Sequence, residues 1–306
     1  MNRRSFLKSS AAFAALSPLA LRAAADAAAA PAPKRANKKG FMWGTLHGKT
    51  ADQLSVRAKF QLLRDASFAG VEVNSAMDQA EVLAARDATG LEIPSVCIST
   101  HWAKPLSDPN PTARQVGLEG LMQGLRDAKA YGASSVLLVP AVVTKDVSYT
   151  DAYARSVAEI KKAVPLAESL GVSIAIENVW NRFLLSPREA VEYVDAFKSP
   201  HVRWHFDVGN VVNTGWPEHW IRALGPRIAK VHVKEYSRKL RDTNGPSAGF
   251  QVELMEGDSD WPAVMSAFDS VGYDGWLIVE QYRPPEISDA DWLAGLSQKL
   301  DQIIAC

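Results

Sequence analysis

Cysteine is scarce in this chain: there are two in 306 residues, Cys97 and Cys306, with no spacing that pairs them as metal ligands. That scarcity excludes a disulfide framework and the thiolate zinc modules. Net charge is also absent, with 34 basic and 34 acidic side chains, so composition draws the chain to no polyanion. The N-terminal apolar run, Ala11 to Leu21, contains Pro18 and falls well short of the ~20 residues needed to span a bilayer. No linker or compositional break divides the chain after residue 40. What is present is 47% apolar residues over a length that supports one large core.

The first residues read as a targeting segment. Asn2-Arg3-Arg4-Ser5-Phe6-Leu7-Lys8, ahead of the apolar run, resembles a twin-arginine export signal, and Ala23-Ala24-Ala25 offers a cleavage site. The expected organisation is a signal peptide over 1–25, a linker over 26–40 and a folded domain over 41–306. The resemblance implies export of the folded protein and a periplasmic location. Removing Arg3, Arg4, Lys8 and Arg22 leaves the mature chain acidic by about four charges, so nucleic acid is not an expected partner. No membrane span is expected in the mature protein. Oligomeric state is open, a dimer included. Cys97 is expected as a core thiol and Cys306 as a frayed end.

Strand-like and helix-like runs then alternate. Strands are expected at 41–46, 69–74, 91–99, 134–140, 172–178, 202–207, 228–233 and 275–280. Helices are expected at 51–66, 77–89, 112–131, 149–170, 187–198, 217–224, 260–271 and 288–304. Eight βα units are the number that closes a single-domain α/β (β/α)8 TIM barrel. Gly132 and Gly171 fall where C-caps belong, and Pro187, Pro217 and Pro262 fall at helix starts. The long irregular stretch 235–259 follows the seventh strand, where barrel loops form the active-site rim.

Four successive strands end on hard ligands: Glu177, Asp207, His232 and Glu280. Side chains alternate along a strand. The β-branched set, with Ile174, Ile176, Val231 and Val233, suits the helix layer, which turns the four ligands inward. A single carboxylate at a strand tip is more often a cap or an ion-pair partner; four consecutive repeats of the placement weaken that account. Three carboxylates and an imidazole suit one divalent ion, Mn2+ first, with Co2+, Mg2+ or Zn2+ as alternatives. Glu72 is inward on strand two, as a buried ion-pair partner or a buttress. Trp43, Trp102, Trp180 and Trp216 lie in or near rim segments.

These residues carry a resemblance to the xylose-isomerase-like TIM-barrel superfamily of sugar isomerases and epimerases. It spans residues 41–300 and includes His232-Val-Lys234-Glu235, Glu256-Gly257-Asp258-Ser-Asp260-Trp261 and Asn181-Arg182-Phe183. It implies that Glu177, Asp207, His232 and Glu280 bind the metal, and that Glu177 and Glu280 form the catalytic acid/base pair. Substrate contacts are expected from Arg238, His101, His47, Asn210 and Lys234. Leu184 and Asn210 stand where related ketose epimerases carry polar substrate-binding groups. The expected function is a metal-dependent isomerase or epimerase acting through an enediolate on an unphosphorylated sugar or keto-sugar. The alternative is a lyase or hydratase acting on 3-keto-glycosides by the same enolisation. More distant alternatives are an apurinic-site endonuclease and a non-catalytic sugar-binding protein.

Overall fold

The computed structural model describes residues 35–47, 50–284 and 286–306. The expected signal peptide and most of the expected linker lie outside them. Eight parallel strands pair in sequence order and close into a barrel, β1 against β8. They are β1 Lys38–Met42, β2 Gly70–Asn74, β3 Ser95–Cys97, β4 Ser135–Leu138, β5 Ser173–Glu177, β6 Val202–Asp207, β7 Ile228–Val233 and β8 Trp276–Val279. The outer layer holds helices Val56–Asp65, Gln79–Thr89, Pro111–Tyr131, Tyr149–Leu170, Pro187–Asp195, Pro217–Leu224, Trp261–Ser270 and Asp289–Ala305. The single-domain α/β barrel expected from the sequence is therefore the observed fold.

Local chemistry sets the boundaries. Ser148, Asp260 and Ser288 each accept a hydrogen bond from the backbone N–H three residues on, starting their helices. Gly132 closes the helix before β4 in the left-handed conformation, at φ 80°, which a Cβ would disfavour. Strand one starts at Lys38 rather than at 41. It ends at Met42, because Trp43–Thr45 turn into a short 3-10 segment in which Thr45 Oγ1 donates to Met42 O.

Between β6 and β7 the pairing runs Trp204 to Ile228 and then His205 to Lys230, which leaves Ala229 as an extra residue. Beyond that bulge Asp207 sits directly beside His232, as Glu177 sits beside His205 on the neighbouring pair. Ile174, Ile176, Val231, Val233, Leu277 and Val279 are buried in the layer between barrel and helices. That burial supplies the hydrophobic term that holds the strand tips in register. Low in the barrel, Gly40 and Gly70 make room for Trp276: a Cβ on Gly70 would lie 2.8 Å from its ring.

Two helices, Val208–Val212 and Arg238–Asn244, were not expected from the sequence. Both lie in loops at the C-terminal mouth of the barrel, immediately after β6 and β7.

Candidate metal centre and active-site cavity

Glu177, Asp207, His232 and Glu280 converge at the C-terminal mouth. One ligand atom from each lies within 4.8 Å of all the others. His232 Nδ1 is 3.1 Å from Glu177 Oε1 and 3.0 Å from Glu280 Oε2. Its Nε2 is 2.8 Å from Glu72 Oε1, beneath the cluster. Lys234 Nζ is 2.7 Å from Glu280 Oε1 and 3.2 Å from Asp207 Oδ2.

Asp207 is held by Asn178, just past the end of β5, and by Asn210 in the helix Val208–Val212. Its N–H donates to Asn178 Oδ1, and its Oδ1 accepts the Asn210 N–H at 2.7 Å. Its Oδ2 is buried and receives no hydrogen bond, with the Lys234 ammonium present only as an ion-pair partner. An unbonded carboxylate oxygen aimed at three other hard donors fits a divalent cation.

The electrostatics are those of a crowded anionic site. Burial pushes the Asp207 carboxyl up to about 7, and the neighbouring carboxylates add to the rise. Burial also raises Glu177, partly opposed by His232. Burial would raise Glu280 too, but the Lys234 ammonium and the His232 ring outweigh it and hold that carboxyl well below the usual range. His232 is raised well above an ordinary imidazole. Burial opposes the charge, and the carboxylates of Glu72, Glu177 and Glu280 overcome it. Since both ring nitrogens face carboxylates, both carry protons in this state. An ion taking Nδ1 would displace one of them.

A second trio, Glu72, His205 and His232, is equally compact and wholly buried. His205 packs edge-on to His232 with centroids 4.2 Å apart, and burial keeps it neutral. The two groups share His232, and Glu72 meets it as the buried ion-pair partner that its inward position on β2 allowed.

A cavity of about 300 Å³ opens over the cluster. Glu177, Glu280, Lys234, His101, Asn210 and Cys97 line it. His101 is buried and neutral, its pKa lowered by that burial to about 4. Its Nδ1 accepts the Val139 N–H at 3.2 Å. The ring proton therefore sits on Nε2, leaving His101 able to donate to a ligand. Cys97, expected only as a core thiol, is buried at the cavity wall, and burial raises its pKa so that it stays protonated. A larger cavity of about 810 Å³ lies beside the first and shares Phe250 and Tyr282 with it. None of the four convergent residues lines it, whereas Glu177 and Glu280 line the smaller one.

Of the expected substrate contacts, His101, Asn210 and Lys234 line this cavity. His47 and Arg238 do not. His47 is exposed and paired with Asp52 at 3.0 Å. Arg238 donates from Nε to Val212 O and from Nη2 to Gly215 O, with its guanidinium 5.7 Å from the Trp216 ring centroid. It fastens two loops together instead of facing the cavity. Leu184 is a core residue beneath Tyr149, at φ 54°, and does not line the cavity either. Trp102 and Trp180 reach the cavity, whereas Trp43 packs on Phe60 in the helix layer. Phe250 and Tyr282 also line it and were missed. Tyr282 stands two residues beyond Glu280, an offset that could have flagged it.

A family profile described as Xylose isomerase-like TIM barrel matches residues 60–301. The chain is 25% identical over 227 residues to the L-ribulose-5-phosphate 3-epimerase of Escherichia coli O1:K1 / APEC, covering 71% of this chain and 76% of that protein. The D-allulose 3-epimerase from Methylomonas sp., solved in complex with D-allulose, superposes with a TM-score of 0.70 at 20% identity. That match covers 89% of this chain and 98% of the solved one. The 3-keto-D-glucoside 4-epimerase from E. coli superposes with a TM-score of 0.71 at 15% identity, over 88% of this chain and 100% of the other. At these identities the two structural likenesses speak to the fold.

Proposed function

The chain belongs to the xylose isomerase-like TIM barrel family, and from that premise we propose that it is a metal-dependent isomerase or epimerase of an unphosphorylated keto-sugar. The observation that carries this reading is the pair Glu177 and Glu280, which enter one cavity from β5 and the end of β8 and meet at His232 Nδ1. The L-ribulose-5-phosphate 3-epimerase named above supports the reaction class.

Glu177, Asp207, His232 and Glu280 would hold one divalent ion, Mn2+ in our reading, a choice supported by three hard oxygen donors and one imidazole. When bound, the ion supplies Lewis acidity, drawing electrons from a hydroxy-ketone and offsetting the charge that develops as a C–H proton leaves. One of Glu177 and Glu280 takes that proton, and the other returns one to the opposite face of the carbon. Lys234 and the His101 Nε2–H orient the substrate oxygens. No arginine lines the cavity among the described residues, and Lys234 is already paired with two carboxylates. A phosphate would find no free guanidinium or ammonium there, which supports an unphosphorylated substrate. The N-terminal twin-arginine-like sequence supports export to the periplasm.

Incubation of Mn2+-loaded protein with a panel of ketoses and 3-keto-sugars in D2O, followed by NMR, tests the reading. Deuterium should appear at the carbon next to the carbonyl. Absence of exchange across the panel would overturn the proposal, and release of an aglycone would assign elimination in its place. Glu177→Gln and Glu280→Gln, checked for metal content, should each lose at least ~10²-fold in rate.

A further inference from the structure

Most of the exposed apolar surface near the site is aromatic and sits at its entrance. Six large apolar side chains are exposed among the described residues, and Trp102, Trp180 and Tyr282 of that six line the cavity over the cluster. They are 52%, 39% and 65% exposed, whereas Glu177 and Glu280 below them have side chains only 7% and 13% exposed. The reacting carbon must reach those two carboxylates. At about 300 Å³ the cavity stands at the low end of small-molecule sites. The three rings, far more exposed than the two carboxylates, lie toward the solvent end of the cavity.

The two tryptophans are pre-positioned. Trp180 Nε1 donates to Asn210 O at 2.9 Å, and its ring lies on Phe250 with centroids 4.8 Å apart. Trp102 stands edge-on to His101 with centroids 5.8 Å apart. Rigid, amphipathic rings of this kind give contact area at low conformational cost. Exposed aromatic surface at a cavity mouth marks a ligand contact.

Resting on the proposed function, we infer that the substrate is a glycoside whose second sugar ring lies against Trp102, Trp180 and Tyr282. The partial exposure of the three rings selects a sugar over an aryl group. An apolar aryl group gains most from an enclosed slot that removes it from water on both faces. A pyranose offers one apolar C–H face to an aromatic ring and keeps its hydroxyls in solvent. Among the described residues no arginine lines this cavity, which suits an uncharged second ring.

The test uses the full-length, Mn2+-loaded protein and two matched substrates, 3-keto-glucose and the 3-keto derivative of a glucose disaccharide. We expect kcat/KM for solvent exchange to favour the disaccharide at least tenfold. Trp102→Ala and Trp180→Ala should each reduce that ratio about fivefold, the scale of one aromatic contact, and Trp102→Phe should restore most of it. A monosaccharide used equally well, or variants that lower both substrates in proportion, would overturn the second-ring site while leaving the proposed function standing. Saturation-transfer NMR with unoxidised cellobiose separates the two ideas. Contact that is lost in Trp102→Ala supports the site even where no sugar exchanges, and absence of contact in the wild type removes it.

Discussion

His232 has carboxylates on both ring nitrogens, Glu72 on Nε2 and the Glu177–Glu280 pair on Nδ1. The Glu72 bond fixes which nitrogen is free to ligate, since an Nε2–H donated downward leaves Nδ1 for the ion. Such outer partners typically carry 10–100-fold in metal affinity. Glu72→Gln should therefore weaken Mn2+ binding by about that factor while the four upper residues remain in place, as titration calorimetry or the Mn2+ EPR spectrum would report. An unaltered Kd would remove Glu72 from the centre. The convergence of Glu177, Asp207, His232 and Glu280 was legible because strand alternation fixes where a tip residue points. Arg238 and His47 were not, because their reach depends on loop path. Arg238 starts a helical turn that aims it at Val212 O and Gly215 O, and nothing in its place in the sequence encodes that aim. Leu184 was legible as a departure from the family pattern, but its left-handed backbone and burial away from the cavity were not.

At the scale of elements, the segment after β7 shows where pattern reading ends. Residues 235–259 have no apolar stripe, and no residue of the helix Arg238–Asn244 is buried, so no helical period marks it. Its order comes from a buried carboxylate. Glu235 accepts the N–H groups of Tyr236, Met255 and Ser259 and the indole N–H of Trp261. Gly257 closes over it and Gly249 over the neighbouring Tyr236; a Cβ on Gly249 would lie 2.3 Å from the Tyr236 ring, and one on Gly257 would lie 2.6 Å from Glu235 Oε1. Replacing Glu235 by Gln turns one acceptor oxygen into a donor facing donors. Each bond to the charged group is worth roughly 1.5–3 kcal/mol, so Glu235→Gln should destabilise by about 3 kcal/mol. Urea unfolding measures the loss, and amide exchange should rise first across residues 246–258, which carry Phe250 at the cavity. Uniform exchange in the variant would mean that Glu235 does not anchor this loop.

The whole molecule was the most legible level, because eight alternating units leave few ways to bury the outer faces of the strands, and the closed barrel is what forms. The barrel in turn gathers Glu177, Asp207 and Glu280 at one mouth, and on the proposed reading that placement would couple stability to metal and pH. Asp207 ionises near its ordinary 3.8 when unfolded and at about 7 in the metal-free fold, because it is buried. A carboxyl raised on folding contributes stability that is full below the unfolded value and lost as pH climbs through the folded one. The metal-free protein thus weakens at this group between about pH 4 and pH 7. The ion needs the ionised carboxylate, so protons oppose its binding over the same window. Metal should stabilise little at about pH 5 and strongly at about pH 8. At a hundredfold excess over Kd the gain is ~2.7 kcal/mol, or roughly 5–10 °C in Tm for a chain of this size. Melting curves with EDTA and with MnCl2 at the two pH values measure it, and Asp207→Asn and His232→Ala should abolish the difference. An equal shift at both pH values, or a shift that survives in Asp207→Asn, would break the link between this cluster and the metal.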